Sequence, residues 1–209
     1  MGRLNIETLV LGAVSTNCYL LINEETKETI IVDPAALASK IENRIEMLGL
    51  KPVAILLTHG HFDHILAAHE LRTTYRVSIY ALKEEEELLG SPDLNLSSSF
   101  GERVNLKGDH YLGDQDEINL AGFSVKVLHT PGHTSGSACY YIKKEGVLIS
   151  GDTLFEASIG RTDFPTGNSQ ALINSIKEKL FVLPGETMVY PGHGNPTQIE
   201  YEEKNNPYV

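Results

Sequence analysis

The chain has 209 residues, 41% of them hydrophobic, with a formal net charge of -11 and a pI near 5.1. That length supports one domain, 1–209, with a sizeable core and leaves no room for two large ones, while the acidic balance excludes the basic stripe of a nucleic-acid binder. No apolar stretch reaches the roughly 20 residues that span a bilayer, and Met1-Gly2-Arg3-Leu4 has no leader character, so a cytoplasmic protein with no membrane partner is expected.

In chain order, residues 4–11, 18–22 and 29–32 read as strands, the third ended by Asp33-Pro34, and 37–48 reads as a helix stopped at Gly49. The branched apolar run 53–58 reads as a buried strand feeding His59-Gly60-His61-Phe62-Asp63-His64. A helix over 65–75 and a strand over 77–81 follow. The second half offers strands over 117–120, 123–128, 138–142 and 147–149, a turn at Lys144-Glu145-Gly146, a helix over 170–181 and a last strand over 187–190. Two β-rich halves with interleaved helices predict an α+β fold, a four-layer αββα sandwich whose ligand-bearing strand ends meet where the sheets open.

The segment from His59 to His64 places three of the chain's eight histidines beside an aspartate. In extended backbone, residues two apart project to one side, so His59 and His61 converge on one ion while Asp63 and His64 turn toward a second. Two later histidines have matching surroundings: His133 follows Pro131-Gly132 and His193 follows Pro191-Gly192, each a tight turn after a strand that presents the next side chain outward. Between them an apolar strand ends in Gly151-Asp152. Imidazole and carboxylate donors suit zinc, iron or manganese, so two divalent ions, zinc first among them, are the expected cofactors.

These words, together with HTPGHTSGS at 129–137, SGDTLF at 150–155 and PGHG at 191–194, resemble the metallo-β-lactamase superfamily, and most of all glyoxalase II and its short single-domain relatives. The resemblance implies that His59, His61 and His133 hold one metal, that Asp63, His64 and His193 hold the other, and that Asp152 bridges them. It implies a hydrolase in which a metal-activated hydroxide attacks an ester, thioester or lactam carbonyl, with Asp63 orienting the nucleophile and carrying a proton. It also aligns Arg161 with a basic residue that contacts glutathione. Against the full-length pattern, the chain is expected to lack the C-terminal helical substrate domain, and it places Asn195 where a tyrosine is usual.

Two divalent ions carry about +4 against roughly -3 from Asp63, Asp152 and a bridging hydroxide, which favours an anionic small-molecule substrate. An acyl thioester such as a hydroxyacylglutathione is the leading expectation. A lactonase and a persulfide dioxygenase with one iron on His59, His133 and Asp152 are the alternatives, and a non-enzymatic metal-binding protein is the outside one. The loops 91–101 and 159–168 are expected to border the metals. Glu84 to Glu87 read as a solvated helix face, His69 and His110 as uninvolved, and His129 as packed beside the site. Asp33 is open between a simple Asp-Pro turn and a carboxylate that orients a ligand. Cys18 and Cys139 read as buried free thiols.

Overall fold

The computed structural model describes residues 2–209, and Met1 lies outside the described residues. The first sheet runs in spatial order through β1 (Leu4–Leu11), β2 (Thr16–Asn23), β3 (Glu28–Val32), β4 (Lys51–Leu56), β5 (Ser78–Leu82) and β6 (His110–Leu112). Its first three strands are antiparallel hairpins, whereas β3 to β6 pair in parallel. Parallel neighbours need crossovers, and the helices α1 (Ala38–Leu48), α2 (Phe62–Ile65), α3 (Ala68–Tyr75) and α4 (Glu86–Gly90) lie in them.

The second half repeats the plan with β7 (Glu117–Leu120), β8 (Phe123–His129), β9 (Ala138–Ile142), β10 (Val147–Gly151), a small hairpin of β11 (Leu154–Phe155) and β12 (Ser158–Ile159), α5 (Ser169–Ser175), β13 (Met188–Pro191), β14 (Thr197–Gln198) and α6 (Ile199–Asn205). The sheet order is β14-β13-β10-β9-β8-β7, with β10 and β13 parallel across the α5 crossover.

Three apolar seams make four layers from these elements. Because side chains alternate along a strand, β2 sends Tyr19 and Leu21 to one face and Leu20 and Ile22 to the other, and every residue of β2 is buried. Leu20, Ile22 and Ile31 pack under Ile41, Ile45 and Leu71 of α1 and α3. Tyr19, Leu21, Ile30 and Leu56 meet Phe123, Val125, Tyr140 and Ile149 between the sheets. Cys139, Tyr141, Leu148 and Val189 face Leu172, Ile176 and Ile199 on the far side. The result is the α+β, four-layer αββα sandwich. Both cysteines are buried and unpaired, and burial raises the Cys139 thiol to about 11. Among the described residues no helix is long and apolar enough to cross a membrane.

Several elements depart from expectation. The helix read over 65–75 is two pieces: α2 begins inside the histidine cluster, and the Ala67 N–H then donates to Pro34 O at 3.0 Å before α3 starts. Asp63 and His64 therefore stand on a helical turn and not on extended chain. The helix read over 170–181 runs as α5 and a widened π turn over Ile176–Leu180. Glu85, read as solvated along with its neighbours, is 1% exposed.

Helix α6 and strands β6, β11, β12 and β14 were not foreseen. Helix α6 is held by Glu202, fully buried, whose carboxylate accepts from Ala157 N (3.0 Å), Asn206 Nδ2 (2.8 Å) and Thr197 Oγ1. Removing that carboxylate leaves buried donors without partners, a loss of about 3 kcal/mol. Glu202→Ala is accordingly expected to move the urea midpoint sharply downward; an unchanged midpoint would show that the clasp contributes nothing.

Candidate metal centre

All seven side chains singled out in the sequence meet at one edge of the sandwich. His59 and His61 leave the end of β4, Asp63 and His64 ride the first turn of α2, His133 follows β8, Asp152 follows β10 and His193 follows β13. Potential ligand atoms of His59, His61 and His133 lie within 4.8 Å of one another, and so do those of Asp63, His64 and His193. Asp152 lies between the groups: Oδ1 is 3.5 Å from His64 Nε2, and Oδ2 is 3.5 Å from His133 Nε2 and 3.6 Å from His193 Nε2.

Whether these residues suit a cation can be judged from their polar atoms. His59 Nε2, His61 Nε2, His64 Nε2 and Asp152 Oδ1 are buried without a hydrogen-bond partner. Leaving such atoms orphaned costs roughly 1–3 kcal/mol each, and a cluster of orphaned bases facing carboxylates is what a positive ion repairs. Asp33 orients the rings. Its Oδ2 accepts from Thr58 Oγ1 (2.6 Å) and from His64 Nδ1 (2.9 Å), while Thr58 Oγ1 lies 3.1 Å from His59 Nδ1 and, having given its proton to Asp33, accepts from that ring. One carboxylate thus orients a histidine of each group, and the Nε2 of each has no partner in the protein. His133 is oriented by a donation from Nδ1 to Arg161 O at 2.7 Å, and its Nε2 lies 2.9 Å from His61 Nδ1. Asp33 holds a left-handed backbone, φ 48°, which is costly for a side-chain-bearing residue and marks a constrained position. Of the two readings of Asp33, the structure supports the orienting carboxylate.

Electrostatics divide the groups. Burial and mutual repulsion with His64 and His133 keep His59 far below the ordinary histidine range, and burial with His133 and His64 lowers His61 to about 3, so both are neutral bases at pH 7. His64 is opposite: burial alone would lower it, but Asp63, Asp152 and Asp33 raise it to about 10. Asp63 is held well below the carboxylate range by His64, His193 and Thr16 despite its burial, with Thr16 Oγ1 donating at 2.7 Å.

The loops are pinned from between the sheets. Tyr140 donates its hydroxyl to Leu57 O (2.7 Å) and Tyr19 to Pro191 O (2.6 Å), and Asn17 Nδ2 bonds both Pro191 O (2.9 Å) and Gly194 O (3.0 Å). These supports were not legible in the sequence, because a tyrosine in an apolar strand reads as core. His129 caps Ser135 O at the surface, and His69 and His110 are exposed away from the cluster.

A cleft of about 190 Å³ opens over the cluster, walled by Val14, Phe62, Leu96, Phe100, Arg161 and Phe164. Both expected loops therefore reach it. Phe100 stacks on Phe62 with ring centroids 4.1 Å apart. The Arg161 guanidinium carbon lies over the Phe164 ring, 3.8 Å from its centroid, while its Nε and Nη2 each donate to Asp163 at 2.7 Å. A larger groove of about 440 Å³ lies on the outer face of β8 around Lys126 and Tyr141, away from all seven side chains.

Gly192 shows how tightly the groups close. A Cβ there would lie 2.1 Å from Asp152 Oδ1 and 2.8 Å from His64 Cε1. Gly192→Ala should displace the Asp152 carboxylate and cut zinc affinity at least about tenfold by equilibrium dialysis; uptake equal to the parent's would refute that geometry.

The family model for the metallo-beta-lactamase superfamily matches residues 11–193. The chain is 41% identical to the probable metallo-hydrolase YqgX of Bacillus subtilis, covering 95% of this chain and 94% of that one. It is 37% identical to the hydroxyacylglutathione hydrolase GloC of Haemophilus influenzae over 99% and 98% of the two chains. Among solved structures it resembles the BLEG-1 B3 metallo-beta-lactamase (TM-score 0.93, 40% identity, 98% and 99% covered) and TTHA1623 in a di-iron-bound form (TM-score 0.85, 33% identity, 97% and 100% covered). With this fold and this cluster of histidines and aspartates, the chain belongs to the metallo-beta-lactamase superfamily and is a metallo-hydrolase of that family.

Proposed function

We propose that the protein is a dimetal hydrolase of acyl thioesters, with a hydroxyacylglutathione as the leading substrate and zinc as the leading metal. The observation that carries the reading is the Asp152 carboxylate set between two three-residue groups, each with at least one buried ring nitrogen that has no partner in the protein. His59, His61 and His133 would hold one ion, Asp63, His64 and His193 the other, and Asp152 would join them. The likeness to GloC of Haemophilus influenzae supports the thioester, and the chemistry of the donors leaves iron and manganese as alternatives to zinc.

When bound, two divalent ions supply a hydroxide nucleophile at neutral pH and Lewis acidity toward the carbonyl oxygen. The chain's own residues do the remainder. Asp33 and the Arg161 carbonyl fix the orientations of the His59, His64 and His133 rings through their Nδ1 atoms. Asp63, anchored by Thr16, lines the cleft and can take the proton of the attacking water and pass it to the departing sulfur as the C–S bond breaks. Phe62, Leu96, Phe100 and Phe164 shield the acyl group from bulk water. Arg161 offers a guanidinium to a substrate carboxylate, but Asp163 already holds it, so substrate must compete with an internal carboxylate. Asn195 donates to Glu156 at 3.0 Å.

The purified protein should carry close to two divalent ions per chain by elemental analysis and release thiol from a hydroxyacylglutathione, and Asp152→Ala should lower both metal content and rate, the rate by orders of magnitude. One iron per chain with oxygen uptake on glutathione persulfide would overturn the hydrolase reading, and a preference for a β-lactam or lactone would overturn the thioester. Asp163→Asn should lower KM for the glutathione thioester several-fold and Arg161→Ala raise it by a similar factor, with KM for a small neutral ester and metal content unchanged. Equal shifts on both substrates would remove Arg161 from substrate binding.

A further inference from the structure

We infer that Glu85 is the positioning residue of the three-histidine group, a carboxylate strap that sets the spacing between the loop bearing His59 and His61 and the loop bearing His133. This rests on the metal-binding reading above.

Glu85 begins the turn into α4 and is 1% exposed. Its Oε1 accepts from Gly60 N–H at 2.8 Å, and Gly60 is the residue between His59 and His61. Its Oε2 accepts from Thr134 Oγ1 at 3.0 Å, directly after His133, and the Gly136 N–H adds a further bond. No lysine, arginine or histidine nitrogen pairs with this carboxylate among the described residues, so its whole stabilisation comes from donors on those two loops. Burying a carboxyl group on such terms is costly, and a neutral apolar residue would fill the volume at less expense. What the acid supplies and an apolar residue does not is a two-oxygen bridge between chain segments more than 70 residues apart, 60 and 134.

The glycines show that the backbone is built around this contact. A Cβ on Gly136 would lie 2.3 Å from Glu85 N and 2.4 Å from its Oε2, and a Cβ on Gly60 would meet Leu88 and Leu89 of α4 at 2.8 and 2.9 Å. The α4 turn is therefore pressed onto both ligand loops at their glycines. The other group, Asp63, His64 and His193, is braced by Thr16, Asn17 and Tyr19 and by Asp33, which also reaches His59 through Thr58, and none of the four is hydrogen-bonded to Glu85. Loss of the strap should act on one group and spare the other.

Zinc titration of the metal-free parent and of Glu85→Gln, with competing chelator and with histidine-ring NMR signals assigned to each group, tests this. Glutamine keeps the volume and one acceptor but turns an N–H₂ toward donors. The expected result is a loss of about 10 to 100-fold in zinc affinity confined to His59, His61 and His133, with His64 and His193 responding as in the parent and the metal-free protein folded at a lowered unfolding midpoint. Parent-like binding at both groups overturns the inference, as does an equal weakening of both groups. If Glu85→Gln does not fold, Thr134→Val removes one contact and decides in its place: a smaller loss confined to the three-histidine group supports the strap, and none refutes it. A parent that takes up no zinc would instead sink the metal-binding reading itself.

Discussion

The site depends on the carboxylate of Asp33 more than on any one ligand. Seven donors at a sheet edge have many ways to satisfy one another, and a histidine with the wrong nitrogen protonated offers a donor where a base is needed. Asp33 fixes the ring orientation in both groups, through Thr58 for His59 and directly for His64, from a left-handed backbone at φ 48°. The remaining supports follow the same logic from other strands. Tyr140, Tyr19 and Asn17 hold carbonyls of the ligand loops, and Arg161 contributes its carbonyl to His133. The centre is thus orphaned at its middle and satisfied at its periphery, the inverse of an ordinary buried polar network, where unmet valences are driven outward.

The clustering of these histidines and aspartates and the layered fold were legible in the sequence, for reasons that lie in particular residues. Pro131-Gly132 and Pro191-Gly192 force turns whose next side chain must face out, and strands such as 18–22 and 138–142 are too uniformly apolar to be anything but buried on both faces. What escaped notice depends on tertiary contacts. The break between α2 and α3 comes from one bond to Pro34 O, which no local propensity encodes. Glu85 sits in a run of four glutamates, and composition cannot tell that one of them turns inward. Strands of two or three residues such as β6, β11 and β14 exist because a neighbour's edge is present to pair with, and their own sequences carry too few alternations to declare them.

Arg161 joins two scales of the molecule. Its carbonyl orients a histidine, its guanidinium lies over Phe164, and Phe164 is edge-on to His61 with centroids 5.6 Å apart. A residue at the mouth of the cleft is therefore mechanically continuous with the base of the site. The side chain is exposed, held by Asp163 and laid over Phe164, while the carbonyl beneath it is bound to His133.

Each donor group takes members from both sheets: His59 and His61 from the first with His133 from the second, and Asp63 and His64 from the first with His193 from the second. An ion in either group would tie the N-terminal half to the C-terminal half across long stretches of chain, as a covalent staple does, and would restrict the unfolded ensemble by closing a loop of that length. The β2–Gly192 contact, with Asn17 N donating to Gly192 O at 2.7 Å, already brings the same ends together without an ion. Neither half holds a complete set of donors, so the chemistry belongs to the seam between two similar units, and a change that lets the sheets slide past one another disables the centre without touching a ligand.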